Sequence, residues 1–461
     1  MEWSLLGAVL LSSTAGTAVG FCLGLVPGLH VNNLAAVLVA GSGYVLGSFV
    51  ILDDLTGSDR TALLVCVFLC AAMMGHMFSE AVVATYLGIP AGDAVSLLPA
   101  HRLARAGLGQ LAICASADGT LSGAVLGMVL TVPVLLLLGP PMDLYLAIRP
   151  FLGLIVVVMS ALLLAGDALR PGPSRGGALE ALARLSRSCA VFLASGLVGT
   201  AVLLTGYFAC GLPDLPWAGQ PFVSRSSLLL PLFAGLFGVP MLLLSLGSRG
   251  EGTHVVDCPV VACEAVRPRD SILGVVGGLL VGWIPGMTSG SSAALCACAV
   301  GGLSEESRST EGSVRFIWLY SAIASCGAVF SVGALVAIDR ARSGVMEAVA
   351  GFMDGPQEAS VVAVAASLLL GMLVAAVISR GLIECAGPML ETLRPVLCSR
   401  RTAAVSVAFL CALVIALTGT RGSLVLLAST SLGLLAPLYG VRRIHLMGSL
   451  LVPISISFMI G

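Results

Sequence analysis

Apolar runs of about 20 residues, each long enough to cross a bilayer core as a helix, follow one another along almost the whole chain. They lie near residues 5–25, 31–52, 61–78, 110–138, 144–165, 188–210 and 226–247, then 272–300, 314–338, 360–379, 402–418, 422–439 and 446–461. The polar connections between them, such as Asp53–Arg60, His101–Gln110, Asp167–Ser188 and Ser248–Asp270, are too short to fold as soluble domains. Charged residues make up 10% of the 461 residues and hydrophobic ones 58%, against roughly 25% and 45–50% in soluble domains. The apolar excess must face lipid. The expected fold is therefore all-α: a polytopic membrane protein of roughly 10–13 transmembrane or re-entrant segments. Leu5–Leu25 lacks a basic n-region and precedes many equally apolar segments, so it reads as the first membrane helix rather than a signal peptide.

Several function classes drop out at this point. A net charge of −1 leaves no basic surface for nucleic acid. The 14 cysteines sit mostly inside apolar runs without Cys-x-x-Cys or Cys/His zinc spacing, and read as small buried hydrophobes. No nucleophile elbow, zinc helix or phosphate-binding loop is present, so neither an enzyme nor direct ATP drive is expected. Transport would draw on an ion gradient or on the solute's own gradient. Arginines at 102 and 105, at 170, 175, 184 and 187, and at 249, 267 and 269 recur every second loop. The positive-inside rule makes those loops cytoplasmic and the loop of Asp53, Asp54 and Asp59 external.

The chain resembles itself. Gly16-TAV-Gly20-FCL-Gly24-LV-Pro27-Gly28-LHVNNL-Ala35-Ala36 in the first half matches Gly274-VVG-Gly278-LLV-Gly282-WI-Pro285-Gly286-MTSGSS-Ala293-Ala294 in the second, without a gap. Glycines at every fourth position form a smooth ridge for close helix approach, and Pro-Gly interrupts a helix. His30, Asn32 and Asn33 after one break, and Thr288, Ser289 and Ser291 after the other, suit the start of a new helix. About seven crossings separate the copies, and an odd number makes the two halves, 1–247 and 248–461, inverted repeats with broken helices. Two helix N-termini meeting inside the bilayer would form an anion-binding centre. The competing reading is a pair of kinked helices with no ligand.

Other polar residues fall at membrane depth, where ionisable groups mark functional sites by default. Gly75 to Asp93, containing His76 and Glu80, reads as a re-entrant hairpin. Asp118 interrupts an apolar run and is either a site or a structural partner of His76 or a backbone group. His76, Glu80 and Asp118 are the candidates for ion coupling, with Na⁺ or H⁺ as the coupling ion and no other cofactor. Arg149 reads as a snorkelling interfacial residue.

These motifs, in this order, resemble the large permease subunit of tripartite tricarboxylate transporters, the TctA family. Gly20-x-x-x-Gly24-x-x-Pro27-Gly28, Gly75 to Glu80, Leu87-Gly88-Ile89-Pro90, Arg102-x-x-Arg105-x-Gly107-x-Gly109 with Ser116 and Gly119, and Gly278-x-x-x-Gly282-x-x-Pro285-Gly286 carry the likeness. Leu29-His30-Val31-Asn32-Asn33 stands where the family has a Gly/Pro-rich run, as in a divergent, archaeal-type branch. The resemblance implies a multi-pass permease of the cell membrane that takes up a small organic anion such as citrate with cation coupling. It implies a small membrane subunit and an extracytoplasmic solute-binding protein as partners, and membrane lipid as surroundings. By position it carries over Pro27, Gly28, His30, Asn32 and Asn33, with Pro285, Gly286, Thr288, Ser289 and Ser291, as substrate-binding residues. The rival readings are a lipid-phosphate (polyprenyl phosphate) translocase and an intramembrane lipid-modifying enzyme.

Overall fold

The structure is a computed structural model. It describes residues 3–26, 29–40, 60–87, 99–100, 102–104, 106–168, 178–203, 228–247, 267–284, 287–299, 309–353, 360–397 and 399–460. Within a bilayer no water satisfies backbone polar groups, so a spanning segment closes its hydrogen bonds internally as a helix. The first half runs α1 (Trp3–Gly24), α2 (Val31–Ala40), α3 (Thr61–Leu87), α4 (Gly109–Leu138), α5 (Leu144–Ile148), α6 (Leu152–Ala168), α7 (Ala178–Leu203), α8 (Leu229–Phe233) and α9 (Val239–Gly247). The second runs α10 (Pro268–Trp283), α11 (Ser289–Ala299), α12 (Thr310–Ile338), α13 (Gly344–Met353), α14 (Val361–Leu397), α15 (Arg400–Leu438) and α16 (Gly448–Ile460). Eight helical stretches among the described residues are long and apolar enough to cross a membrane. Non-helical backbone at Gly419 divides α15, between the apolar runs 402–418 and 422–439. The expected division between residues 247 and 248 borders a stretch, 248–266, that lies outside the described residues.

The centre is built from two equivalent helix pairs. Gly16, Gly20 and Gly24 of α1 lie against the backbone of Phe68, Ala72 and His76 on α3. Gly274, Gly278 and Gly282 of α10 meet Ala322, Cys326 and Phe330 on α12 in the same four-residue steps. Rising numbers on both members make each pair parallel. Gly119 and Gly123 of α4 likewise meet Trp318 and Ala322, so α4 runs parallel to α12. The start of α4 lies beside the end of α3, where Gly109 abuts the Tyr86 ring. Two helices that cross one bilayer and meet at adjoining ends run in opposite senses, so α3 opposes α4 and therefore α12. The α1/α3 pair is thus inverted relative to α10/α12.

The periphery interlocks by exchange. Gly448 of α16 fits against Phe192 and Ser195 of α7, while Gly235, before α9, fits against Leu426 and Ser429 of α15. Gly199 of α7 meets Ser449, and Gly433 of α15 meets Leu236 and Pro240. Helices distant in the chain thus pack on one another across the periphery. Valines and leucines stand exposed on the outer helices, Val129 at 69%, Leu197 at 72% and Leu427 at 66%, as a lipid-facing surface requires. Hydroxyls at depth fold back onto the preceding turn, as in Ser13 to Val9 O (2.6 Å), Thr17 to Ser13 O (2.7 Å) and Thr131 to Gly127 O (2.8 Å), which satisfies them without water.

One expectation is corrected. Gly75–Leu87 belongs to the single helix α3 rather than to a re-entrant hairpin; residues 88–98 are outside the described residues. Gly75 packs on Thr17 and Phe21 of α1, and His76 and Glu80 face each other one turn apart. The polarity that made the stretch look broken is absorbed within an unbroken helix.

Candidate functional site

Both glycine-ridged helices stop where the sequence breaks them. α1 ends at Gly24 and α2 begins at Val31; α10 ends at Trp283 and α11 begins at Ser289. Pro27, Gly28, Pro285 and Gly286 lie outside the described residues, as does the side chain of Asn33. The residues that follow each break cap the new helix. His30 Nδ1 accepts from the Asn32 N–H at 3.1 Å. Thr288 Oγ1 accepts from the Ser291 N–H at 3.1 Å, and Ser291 Oγ accepts from the Thr288 N–H at 3.0 Å, a reciprocal arrangement that fixes the α11 entry. Ser289 opens the helix, and Ser292 Oγ donates to Gly277 O at 2.9 Å, tying α11 back to α10.

The first break carries titratable chemistry. Ligand atoms of His30, His76 and Glu80 lie within 4.8 Å of one another, with the two imidazole centroids 4.9 Å apart. His76 Nε2 is 3.1 Å from Leu29 O, an oxygen that only accepts, so this nitrogen carries a hydrogen. His76 Nδ1 is 3.2 Å from Glu80 Oε2. A bare Nδ1 lone pair facing a carboxylate is repulsive, so the pair must share one further proton or a cation. His30 Nδ1 already accepts, which in the neutral ring leaves the hydrogen on Nε2. Hard Na⁺ favours oxygen ligands, whereas two imidazoles and one carboxylate suit a proton or a transition metal. A metal on His30 Nε2 would displace that hydrogen and, with it, the cap on Asn32. A shared proton requires no rearrangement.

Equivalent positions at the second break differ. Phe330 takes the place on α12 that His76 has on α3, against Gly282 rather than Gly24, and Thr288 corresponds to His30 in the aligned copies. The helices that precede the two breaks are therefore packed alike, and the side chains beside the breaks differ.

Asp118 belongs elsewhere. Its Oδ1 accepts from Arg380 Nε at 2.6 Å, and Arg380 Nη1 donates to Glu384 at 3.2 Å, so the carboxylate braces α4 against α14. Its partner Arg380 was hidden in an apolar run, with no local pattern to connect the two. The buried fork between Arg315 and Asp270, both bonds 3.0 Å, joins α12 to the start of α10. Burial opposes ionisation of Asp270, but the Arg315 guanidinium and the Arg267 N–H outweigh it and hold the carboxyl below its ordinary range.

Among known proteins, the chain is 25% identical over 341 residues to an uncharacterized protein of Methanocaldococcus jannaschii, covering 74% of this chain and 72% of the relative. No solved structure matches. The profile of the tripartite tricarboxylate transporter TctA family matches residues 10–448. With eight membrane-length helices, the internal repeat and this match over nearly its whole length, the chain is a multi-pass membrane protein belonging to the tripartite tricarboxylate transporter TctA family.

Proposed function

We propose that the protein is a secondary permease for a small organic anion of the di- or tricarboxylate class, driven by a proton gradient. The anion is held between the two interrupted helices, whose N-terminal amides carry partial positive charge. Pro27, Gly28, His30, Asn32 and Asn33 on one side, and Pro285, Gly286, Thr288, Ser289 and Ser291 on the other, frame it. The observation that carries the coupling is the His76–Glu80 contact, which requires one shared proton or a cation; a proton fits with no change of cap. Asp118, engaged by Arg380, acts as a brace. Residues 1–247 and 248–461 are the two repeat halves, and family membership supports work alongside a small membrane subunit and an extracytoplasmic solute-binding protein.

The test is uptake of radiolabelled citrate, malate and succinate into proteoliposomes holding the purified full chain, under an imposed pH gradient, an imposed Na⁺ gradient, or neither. Accumulation follows the pH gradient. Glu80→Gln, which removes the shared proton's carboxylate, abolishes accumulation but leaves exchange of internal for external substrate. Uptake that follows Na⁺ alone overturns the coupling assignment, and no uptake of any carboxylate overturns the substrate class.

A further inference from the structure

Arg342 is a half-buried cation without an acidic partner among the described residues. It lies in the loop between α12 and α13, and its guanidinium lies beside the Tyr145 side chain. Its Nε and Nη2 atoms are out of contact with solvent and have no hydrogen-bond partner among the described residues. The charged neighbour that bears on it is a second arginine, Arg340, which is exposed. Two other guanidiniums at helix interfaces have acidic partners: Arg315 has Asp270, and Arg380 has Asp118 and Glu384. Leaving a charged donor buried and unmet costs more than the roughly 1–3 kcal/mol of a neutral group, so such a group calls for a partner beyond the described residues, and a bound ligand is one.

Its position says what the partner touches. Two residues on, Gly344 lies 3.2 Å from the Asn32 side chain, measured from where a Cβ would stand, at the start of α2. On the other side, Tyr145 belongs to the same cluster of buried side chains as Trp283 and Ile284, the last residues before the second break. Trp283 is 7% exposed, and its Nε1–H also has no acceptor among the described residues. Unmet donors from Arg342 and Trp283 thus adjoin residues of both interrupted helices.

We propose that Arg342 is the anchor for one carboxylate of the transported anion, with the Trp283 indole N–H as a second donor and Tyr145 holding the guanidinium in place. The inference rests on the anion-permease reading above. A planar fork with two free N–H groups matches a carboxylate at two points, which gives the site a preference for carboxylates over their amides. Helix amides favour negative charge but do not grip a carboxylate at two points in one plane.

The test is binding of citrate, and of its monoamide, to the purified full chain in detergent, read by calorimetry and by the ligand-induced rise in melting temperature. Arg342→Gln weakens citrate about 30-fold, equivalent to roughly 2 kcal/mol, and narrows the gap between citrate and the amide. Arg342→Lys keeps the charge but not the fork and loses about 5-fold, on the order of 1 kcal/mol. Arg340→Gln, at the exposed neighbour, binds as the parent does. Should Arg342→Gln fail to fold, Arg342→Lys decides. Equal citrate affinity in either folded variant, or a parallel loss for citrate and amide, overturns the anchor while leaving the permease reading intact. A parent chain that binds no carboxylate at all fails that reading instead.

Discussion

At the scale of residues, the Asp270–Arg315 fork offers a pH test separate from transport. Asp270 is ionised in the folded protein and its carboxyl is depressed, so the stabilisation is fully present above the unfolded carboxyl value, about 3.9, and is lost as pH falls through the lower folded value. Asp270→Asn leaves Arg315 buried without its charge partner, at a cost of about 3–5 kcal/mol. The variant's apparent melting temperature in detergent should lie well below the parent's at pH 7. The gap should narrow as pH falls below about 4 and close once pH has passed the lower folded value, where the parent loses the same interaction. A constant gap down to pH 3 would mean that the carboxylate's charge contributes nothing. His30 and Thr288 were readable from sequence because short polar runs after Pro-Gly have few roles inside a membrane other than capping. Arg342 was not readable: in the polar stretch from Asp339 to Glu347 it looks like any loop arginine, and only its partial burial beside Tyr145 separates it from exposed Arg340.

At the scale of elements, the glycine ridges were legible in full and the role of α3 was misread. A repeat of glycines at four-residue spacing states which face of a helix meets another backbone, and α1 and α10 use those faces as expected. By contrast, Gly75, His76 and Glu80 lower the apolar character of α3 enough to suggest a break. Sequence alone does not show that Gly75 faces α1 or that His76 and Glu80 satisfy each other. The ridge makes a sharp prediction. A Cβ at Gly20 would run into the Ala72 carbonyl oxygen, whereas one at Gly7 meets nothing within 4 Å. Gly7→Ala should be neutral or stabilise the helix by up to about 1 kcal/mol. Gly20→Ala should separate α1 from α3 and cost about 1–3 kcal/mol, and Gly278→Ala should do the same to α10 and α12. Thermal unfolding of the three purified variants checks this; equal behaviour of Gly7→Ala and Gly20→Ala would show that the ridge is not a close-packing surface.

At the scale of the whole molecule, the inverted arrangement fixes which ends share a membrane face. The end of α3, the start of α4 and the start of α12 lie together: Gly109 abuts Tyr86, Arg102 donates to Ser313 Oγ, and Ala100 and Leu103 pack with Val314 and Ile317. The ends of α4 and α12 lie together as well, since Gly139 faces Ala337. Arg102, Arg267 and Arg269 mark the first face as cytoplasmic by the charge rule, and Arg267 reaches Glu311 at the start of α12. Short epitope tags inserted at Ala106 and at Ser309 should therefore be hidden in intact cells and revealed on permeabilisation. Tags at Met142 and at Arg340, both exposed, should be accessible from outside. Each tagged chain must still be inserted and stable for its result to count, which melting temperature establishes. The decisive comparison is Met142 with Ser309, one from each half and on opposite faces only if α4 and α12 run parallel. Finding both on one face would remove the inversion, and the two breaks would then be related by simple repetition, with their helix N-termini pointing the same way instead of toward a common anion.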